Sequence, residues 1–71
     1  MWILDQTKNE VANIKNYDSI ANLQGRIRAF RSNGNSFAYL GVYDQERAAQ
    51  VFEELLTSLA NGDNLFRMPE K

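Results

Sequence analysis

Hydrophobic and polar positions alternate every second residue through much of the first half of the chain. They shift to a period near 3.6 in one later stretch, so the pattern predicts strands followed by a single helix. Residues 1–6 place Met1, Trp2, Ile3 and Leu4 ahead of Asp5 and Gln6 and read as a strand. Thr7, Lys8 and Asn9 are polar and turn-prone. Residues 10–15 set Val11, Asn13 and Lys15 against Glu10, Ala12 and Ile14, which predicts a hairpin with the first run. Residues 16–22 hold turn formers at Asn16, Asp18 and Ser19, with Tyr17 and Ile20 as the expected buried members. Gly25 marks a strand connection. Residues 26–31 form the next strand, with Ile27 and Ala29 opposite Arg28 and Phe30. Asn33-Gly34-Asn35 suits the positive φ angles of a tight hairpin turn. Residues 36–43 are then the partner strand. Regular alternation puts Phe37, Tyr39, Gly41 and Tyr43 on one face and Ala38, Leu40 and Val42 on the other. Gly41, inside that strand, points to a bulge or a close contact with the helix.

Asp44 opens the helix, because its carboxylate can accept from the free amides of the first turn, and Glu46 suits the positive end of the helix dipole. At 100° per residue Ala48, Val51, Phe52, Leu55, Leu56 and Leu59 share one stripe, with Glu46, Gln50, Glu53, Glu54, Thr57 and Asn61 opposite. Asn61-Gly62 is the stop. In the tail, residues 63–71, Leu65, Phe66 and Met68 precede Pro69 and form an apolar segment suited to docking on a sheet edge or on another subunit. The expected fold is α+β. One domain carries an antiparallel β-meander of about four strands over residues 1–43, and an amphipathic helix over 44–61 packs on it through Val51, Phe52, Leu55, Leu56 and Leu59. A tail over 62–71 completes the chain.

Composition narrows the chemistry. Seventy-one residues make one domain with a small core. Domains of this size often lean on disulfides, a metal or a partner subunit. The chain has no cysteine and no histidine, which removes disulfides, thiolate sites and the commonest transition-metal ligand. Association is the route left, so a second copy is an expected partner. The lack of cysteine fits a reducing compartment. The start has no basic leader followed by a long apolar region, and no apolar run approaches the roughly 20 residues of a membrane span, so the expectation is a cytoplasmic protein. The net charge of −1 is uneven: residues 1–43 sum to +2 and residues 44–71 to −3. Two faces of opposite sign would follow, although ordinary solvation explains the same distribution.

No catalytic constellation is present. Ser-His and Cys-His pairs are impossible, and Glu53-Glu54 lies on the polar side of the helix. Asn61-Gly62-Asp63-Asn64 is too short for a calcium loop, and the four glycines are scattered, with no phosphate-binding loop. A non-enzyme without metal or cofactor is expected. The candidate surface is the hairpin 26–43, with Arg26, Arg28 and Arg31 beside Phe30, Phe37 and Tyr39. Regular alternation sets Arg26, Arg28 and Phe30 on one face. Such a face suits a protein partner, since Tyr, Phe and Arg are enriched in interface hot spots. It also has the ingredients of a single-strand nucleic-acid platform, in which arginines meet phosphates and aromatics stack on bases.

The opening Met1-Trp2-Ile3-Leu4-Asp5-Gln6, the run Leu40-Gly41-Val42-Tyr43, the helix start Glu46-Arg47-Ala48 and the ending Phe66 with Met68-Pro69-Glu70 resemble a family of short phage and prophage proteins of Gram-positive bacteria and their hosts. The resemblance runs in order over most of the chain and is weakest over residues 17–36. It implies a cytoplasmic protein with strands followed by a helix, and a tail at 66–70 that is a built feature. It brings no activity, cofactor or functional residue. The expected function is a non-catalytic protein-interaction or adaptor module, with homodimerisation as one form. The alternative is a weak nucleic-acid binder using Arg26, Arg28 and Arg31.

Overall fold

A computed structural model describes residues 1–32 and 36–71. The predicted turn at Asn33-Gly34-Asn35 lies outside the described residues. The fold is α+β, with a 17-residue α-helix. The strands do not form one meander of four. Among the described residues, six strands divide into two three-stranded sheets.

The first sheet joins the two ends of the chain. Strand β1 (Trp2–Leu4) pairs antiparallel with β2 (Val11–Asn13), as the hairpin reading expects. On its other side β1 pairs in parallel with a strand from the tail, Leu65–Arg67. Asn13 then turns the chain: its side chain accepts from the Lys15 N–H at 3.1 Å and opens a 3₁₀ turn over Ile14–Asn16. That turn keeps β2 from leading straight into the next strand.

The second sheet is an antiparallel meander of β3 (Ser19–Leu23), β4 (Arg26–Phe30) and β5 (Phe37–Val42). Residues 19–23, which overlap the stretch 16–22 read as rich in turn formers, become a full strand because Gln24 and Gly25 supply the hairpin turn. Both have positive φ, 55° and 93°, the pattern of the primed turns that match strand twist. The Asn22 side chain accepts from the Gly25 N–H at 3.1 Å and holds the turn.

The helix, α1 (Gln45–Asn61), starts where Asp44 accepts from the Arg47 N–H at 2.9 Å. It ends where Gly62, at φ 73°, donates to the Leu59 carbonyl while Asp63 donates to Ser58, the paired bonds of a Schellman stop. This reversal launches the last strand, β6 (Leu65–Arg67), back along β1.

One core lies where the helix meets both sheets. Ile3, Ile27, Ala29, Leu40, Tyr43, Ala48, Val51, Leu55 and Met68 are buried in it. The helix stripe is narrower than the pattern suggested. Ala48, Val51, Leu55 and Ser58 face the core and Phe52 is half-buried, but Leu56 and Leu59 are exposed. Ser58 is tolerated inside because its hydroxyl donates to Asp63 at 2.7 Å.

Gln6 ties the two sheets together. Its backbone N–H donates to Leu40, its side-chain oxygen accepts from the Val42 N–H at 2.7 Å, and its amide nitrogen donates to the carbonyls of Val42 and Glu70. The side chain therefore acts as a short strand on the edge of β5, where bare backbone groups would invite pairing. The end of the chain is held by the same region: the Tyr43 hydroxyl donates to the Pro69 carbonyl, Lys8 pairs with Glu70, and Arg47 donates to the Lys71 carbonyl.

Burial pushes the Tyr43 phenol up to about 12, with Arg47 opposing the rise and Glu54 adding to it. An unfolded tyrosine ionises near pH 10. The unfolded chain thus loses this proton before the folded one, so Tyr43 leaves stability intact below about pH 10 and erodes it as pH climbs towards about 12. Tyr43→Phe is expected to lose about 1 kcal/mol at neutral pH, the worth of its hydrogen bond, and to show a shallower alkaline decline in urea midpoint. Equal alkaline declines in the two proteins would refute the assignment.

Candidate interaction surface

A β-bulge decides which residues face out of the second sheet. Ile27 pairs with Gly41 and its neighbour Arg28 pairs with Tyr39, so Leu40 is the extra residue on β5. Leu40 and Gly41 are both buried in succession. Beyond them the alternation inverts. Gly41 and Tyr43 join the core, and Val42 turns outward beside Phe37 and Tyr39. This corrects the two faces expected from regular alternation. The glycine is required there by close approach: a Cβ at Gly41 would stand 2.7 Å from the Tyr43 ring.

The outward face carries Ser19, Ala21 and Leu23 from β3, Arg26, Arg28 and Phe30 from β4, and Phe37, Tyr39 and Val42 from β5. Cross-strand pairing sets Phe30 opposite Phe37, Arg28 opposite Tyr39, and Arg26 between Leu23 and Val42. Leu23, Phe37, Tyr39 and Val42 are all exposed, Val42 by 54%. Two arginines and no carboxylate lie among these nine positions.

The aromatic groups form a closed set. Phe37 and Tyr39 meet edge to face at 5.0 Å, and Phe30 sits 5.8 Å from Phe37. The Arg28 guanidinium lies 5.0 Å from the Phe37 ring centre and 4.7 Å from that of Tyr39. Such contacts contribute about 0.5–1 kcal/mol each at exposed sites. They also shield the Arg28 Nε from solvent, and no hydrogen-bond partner reaches it among the described residues.

Five of the six residues singled out in the hairpin thus come together: Arg26, Arg28, Phe30, Phe37 and Tyr39. Arg31 does not join them. Its guanidinium lies 5.1 Å from the ring of Tyr17, a residue that lines a hollow with Phe52 of the helix. Leu23 and Val42 were missed in the sequence. The Gln24-Gly25 turn was the available signal for Leu23, and Gly41, read as a bulge, was the signal for Val42.

The tail residues separate. Met68 is buried, and its N–H donates to the Leu4 carbonyl at 2.9 Å. Phe66 is half-buried opposite Ile3, and Leu65 is exposed beside Trp2. The tail therefore docks on the edge of its own β1.

Among the described residues, no group of three or more acidic side chains is placed to hold a metal ion, and no helix is long and apolar enough to cross a membrane. Comparison of the chain with protein-family models, curated proteins and solved structures finds no match.

Proposed function

We propose that this protein is a non-catalytic interaction module that binds another protein through the open face of the β3–β4–β5 sheet. The observation that carries the reading is the make-up of that face. Leu23 and Val42 flank Arg26, and Phe30, Phe37 and Tyr39 pack around Arg28. An apolar centre with arginines is the composition of interface hot spots. The absence of carboxylates on the face selects a partner surface with an apolar middle and acidic edges.

The nucleic-acid reading is less well served. Base stacking needs free ring faces. Here Phe37 and Tyr39 stand edge to face, with Arg28 against both. Exposed Leu23 and Val42 offer nothing to a phosphodiester. A second copy docked face to face would set arginines against arginines, which disfavours this surface for self-association. The reading takes the chain as a cytoplasmic module of the phage type that it resembles.

Selection from a random displayed-peptide library, followed by amide NMR titration, tests the proposal. The expected result is enrichment of apolar sequences flanked by Asp or Glu. Their shifts should cluster on residues 23–30 and 37–42, and binding should vanish in the double variant Tyr39→Ser with Val42→Ser. Peptides insensitive to those substitutions would overturn it. So would single-stranded oligonucleotides that shift the same amides and lose affinity steeply with salt.

A further inference from the structure

Strand β6 is an outer strand of its sheet, with β1 on one side only. The parallel register fixes which of its backbone groups are used. Trp2 donates to the Asn64 carbonyl at 2.8 Å and Met68 donates to Leu4 at 2.9 Å, so Asn64, Phe66 and Met68 direct their backbone groups at β1. The N–H and C=O groups of Leu65 and Arg67 therefore point the other way, and no partner reaches them among the described residues. The edge of β5 is capped by the Gln6 side chain. Among the described residues no side chain does the same for β6.

Beside this edge a groove of about 530 Å³ separates β6 from the helix. Its helix wall carries Glu53, Glu54 and Thr57, all exposed, and Asp63 stands at the turn into β6. Three carboxylates and one guanidinium, that of Arg67, line the groove and give it a net charge of −2. Arg47 approaches Glu54 at 3.5 Å, while no basic group pairs with Glu53 or Asp63 among the described residues. The two faces of β6 differ. Phe66 lies opposite Ile3 on the core side, towards the helix. Leu65 and Arg67 turn to the other face, where Leu65 pairs with Trp2 and both are exposed.

We infer that the β6 edge is a docking site for an extended basic segment of a partner protein, which joins the first sheet as a fourth strand. Backbone bonds to Leu65 and Arg67 hold the segment. A basic residue opposite Phe66 faces the carboxylates of the helix wall. Its apolar neighbour turns to the other face and covers Leu65 and Trp2. The recognised sequence thus alternates basic and apolar residues. The β6 edge of a second copy does not fit, because it would bring two acidic grooves together. The site lies on the other sheet from the face assigned above, and the inference does not depend on that assignment.

Amide NMR titration with a short capped peptide alternating lysine and valine tests this. Shifts are expected at Glu53, Thr57, Leu65 and Arg67, with slowed hydrogen exchange at the amides of Leu65 and Arg67. Glu53→Lys, at an exposed position, should keep its cooperative melt and weaken binding at least about tenfold. Arg67→Pro separates strand addition from plain charge attraction. It removes a repelling cation and one outward N–H but leaves the bonds to β1 in place. Strand addition predicts weaker binding in this variant, and charge attraction alone predicts tighter binding. Should Arg67→Pro fail to fold, the same peptide N-methylated throughout keeps its charge, loses its backbone donors and should not bind. No binding to the wild type at millimolar peptide overturns the inference. So does binding unchanged in Glu53→Lys, tightened in Arg67→Pro or retained by the N-methylated peptide, and so do shifts confined to residues 23–30 and 37–42.

Discussion

Leu55→Asp is expected to abolish the cooperative melt of this domain. Leu55 is fully buried, in the one cluster where the helix meets Ile3 of the first sheet and Ile27 and Leu40 of the second. Truncating a buried leucine to alanine already costs about 2–5 kcal/mol. Aspartate adds a carboxylate, and no basic side chain belongs to this cluster. Such a group must either stay charged and unpaired or take up a proton, and both cost several kcal/mol. Domains have about 0.05–0.15 kcal/mol of stability per residue, so this chain has on the order of 4–10 kcal/mol to lose. The substitution removes most or all of it. Circular dichroism melting is the check: a sigmoidal transition at the wild-type temperature would show that the core face of the helix is misassigned.

Gly25→Ala is expected to be nearly as damaging, for a different reason. Gly25 sits in the β3–β4 turn at φ 93°, beyond the region that side chains tolerate easily. The space is closed as well. A Cβ there would stand 2.3 Å from the Tyr43 carbonyl oxygen, and Gly25 itself accepts from the Tyr43 N–H at 2.9 Å. The obstacle is backbone, so no rotamer change relieves it. Strained φ costs about 1–3 kcal/mol and a forced overlap in a packed region about 1–3 more. A loss of at least about 3 kcal/mol follows. Gly62→Ala provides the control, since Gly62 has φ 73° but nothing within 4 Å of its would-be Cβ. That change should cost only about 1–2 kcal/mol, the conformational term alone. Equal urea midpoints for the two variants would mean that the Gly25–Tyr43 approach contributes nothing.

The tail illustrates how far local pattern reaches. Leu65, Phe66 and Met68 were legible as a segment with something to bury, and the Asn61-Gly62 stop just before them was legible as a reversal. What they bury against was not legible. Parallel pairing of residues 65–67 with residues 2–4 joins positions more than sixty residues apart. No periodicity records such a pairing. The same holds for Gln6, whose side chain completes an edge that lies 36 residues away at Val42.

The candidate surface divides in the same manner. Alternation through Arg26, Arg28 and Phe30 set these residues on one face because β4 is regular along its length. On β5 the bulge at Leu40 and Gly41 inverted the phase, exchanging Val42 for Gly41 and Tyr43. Gly41 hinted at irregularity, but the direction of the change depends on Tyr43 lying over the glycine. The helix stripe was read as one broad face because Phe52, Leu56 and Leu59 are as apolar as Val51 and Leu55. Only the width of the core they meet separates the covered seam from the open one.

The sequence by itself determined the local elements: strands from period-two alternation, one helix from its 3.6 period, and a helix start and stop from Asp44 and Gly62. These depend on backbone preferences and side-chain chemistry within a few residues, so they can be read from neighbours alone. The division into two sheets, the docking of the tail on β1, the inverted phase of β5 and the open seam of the helix were decided by the tertiary structure. Each depends on which distant surfaces meet and how much apolar area one small core can cover.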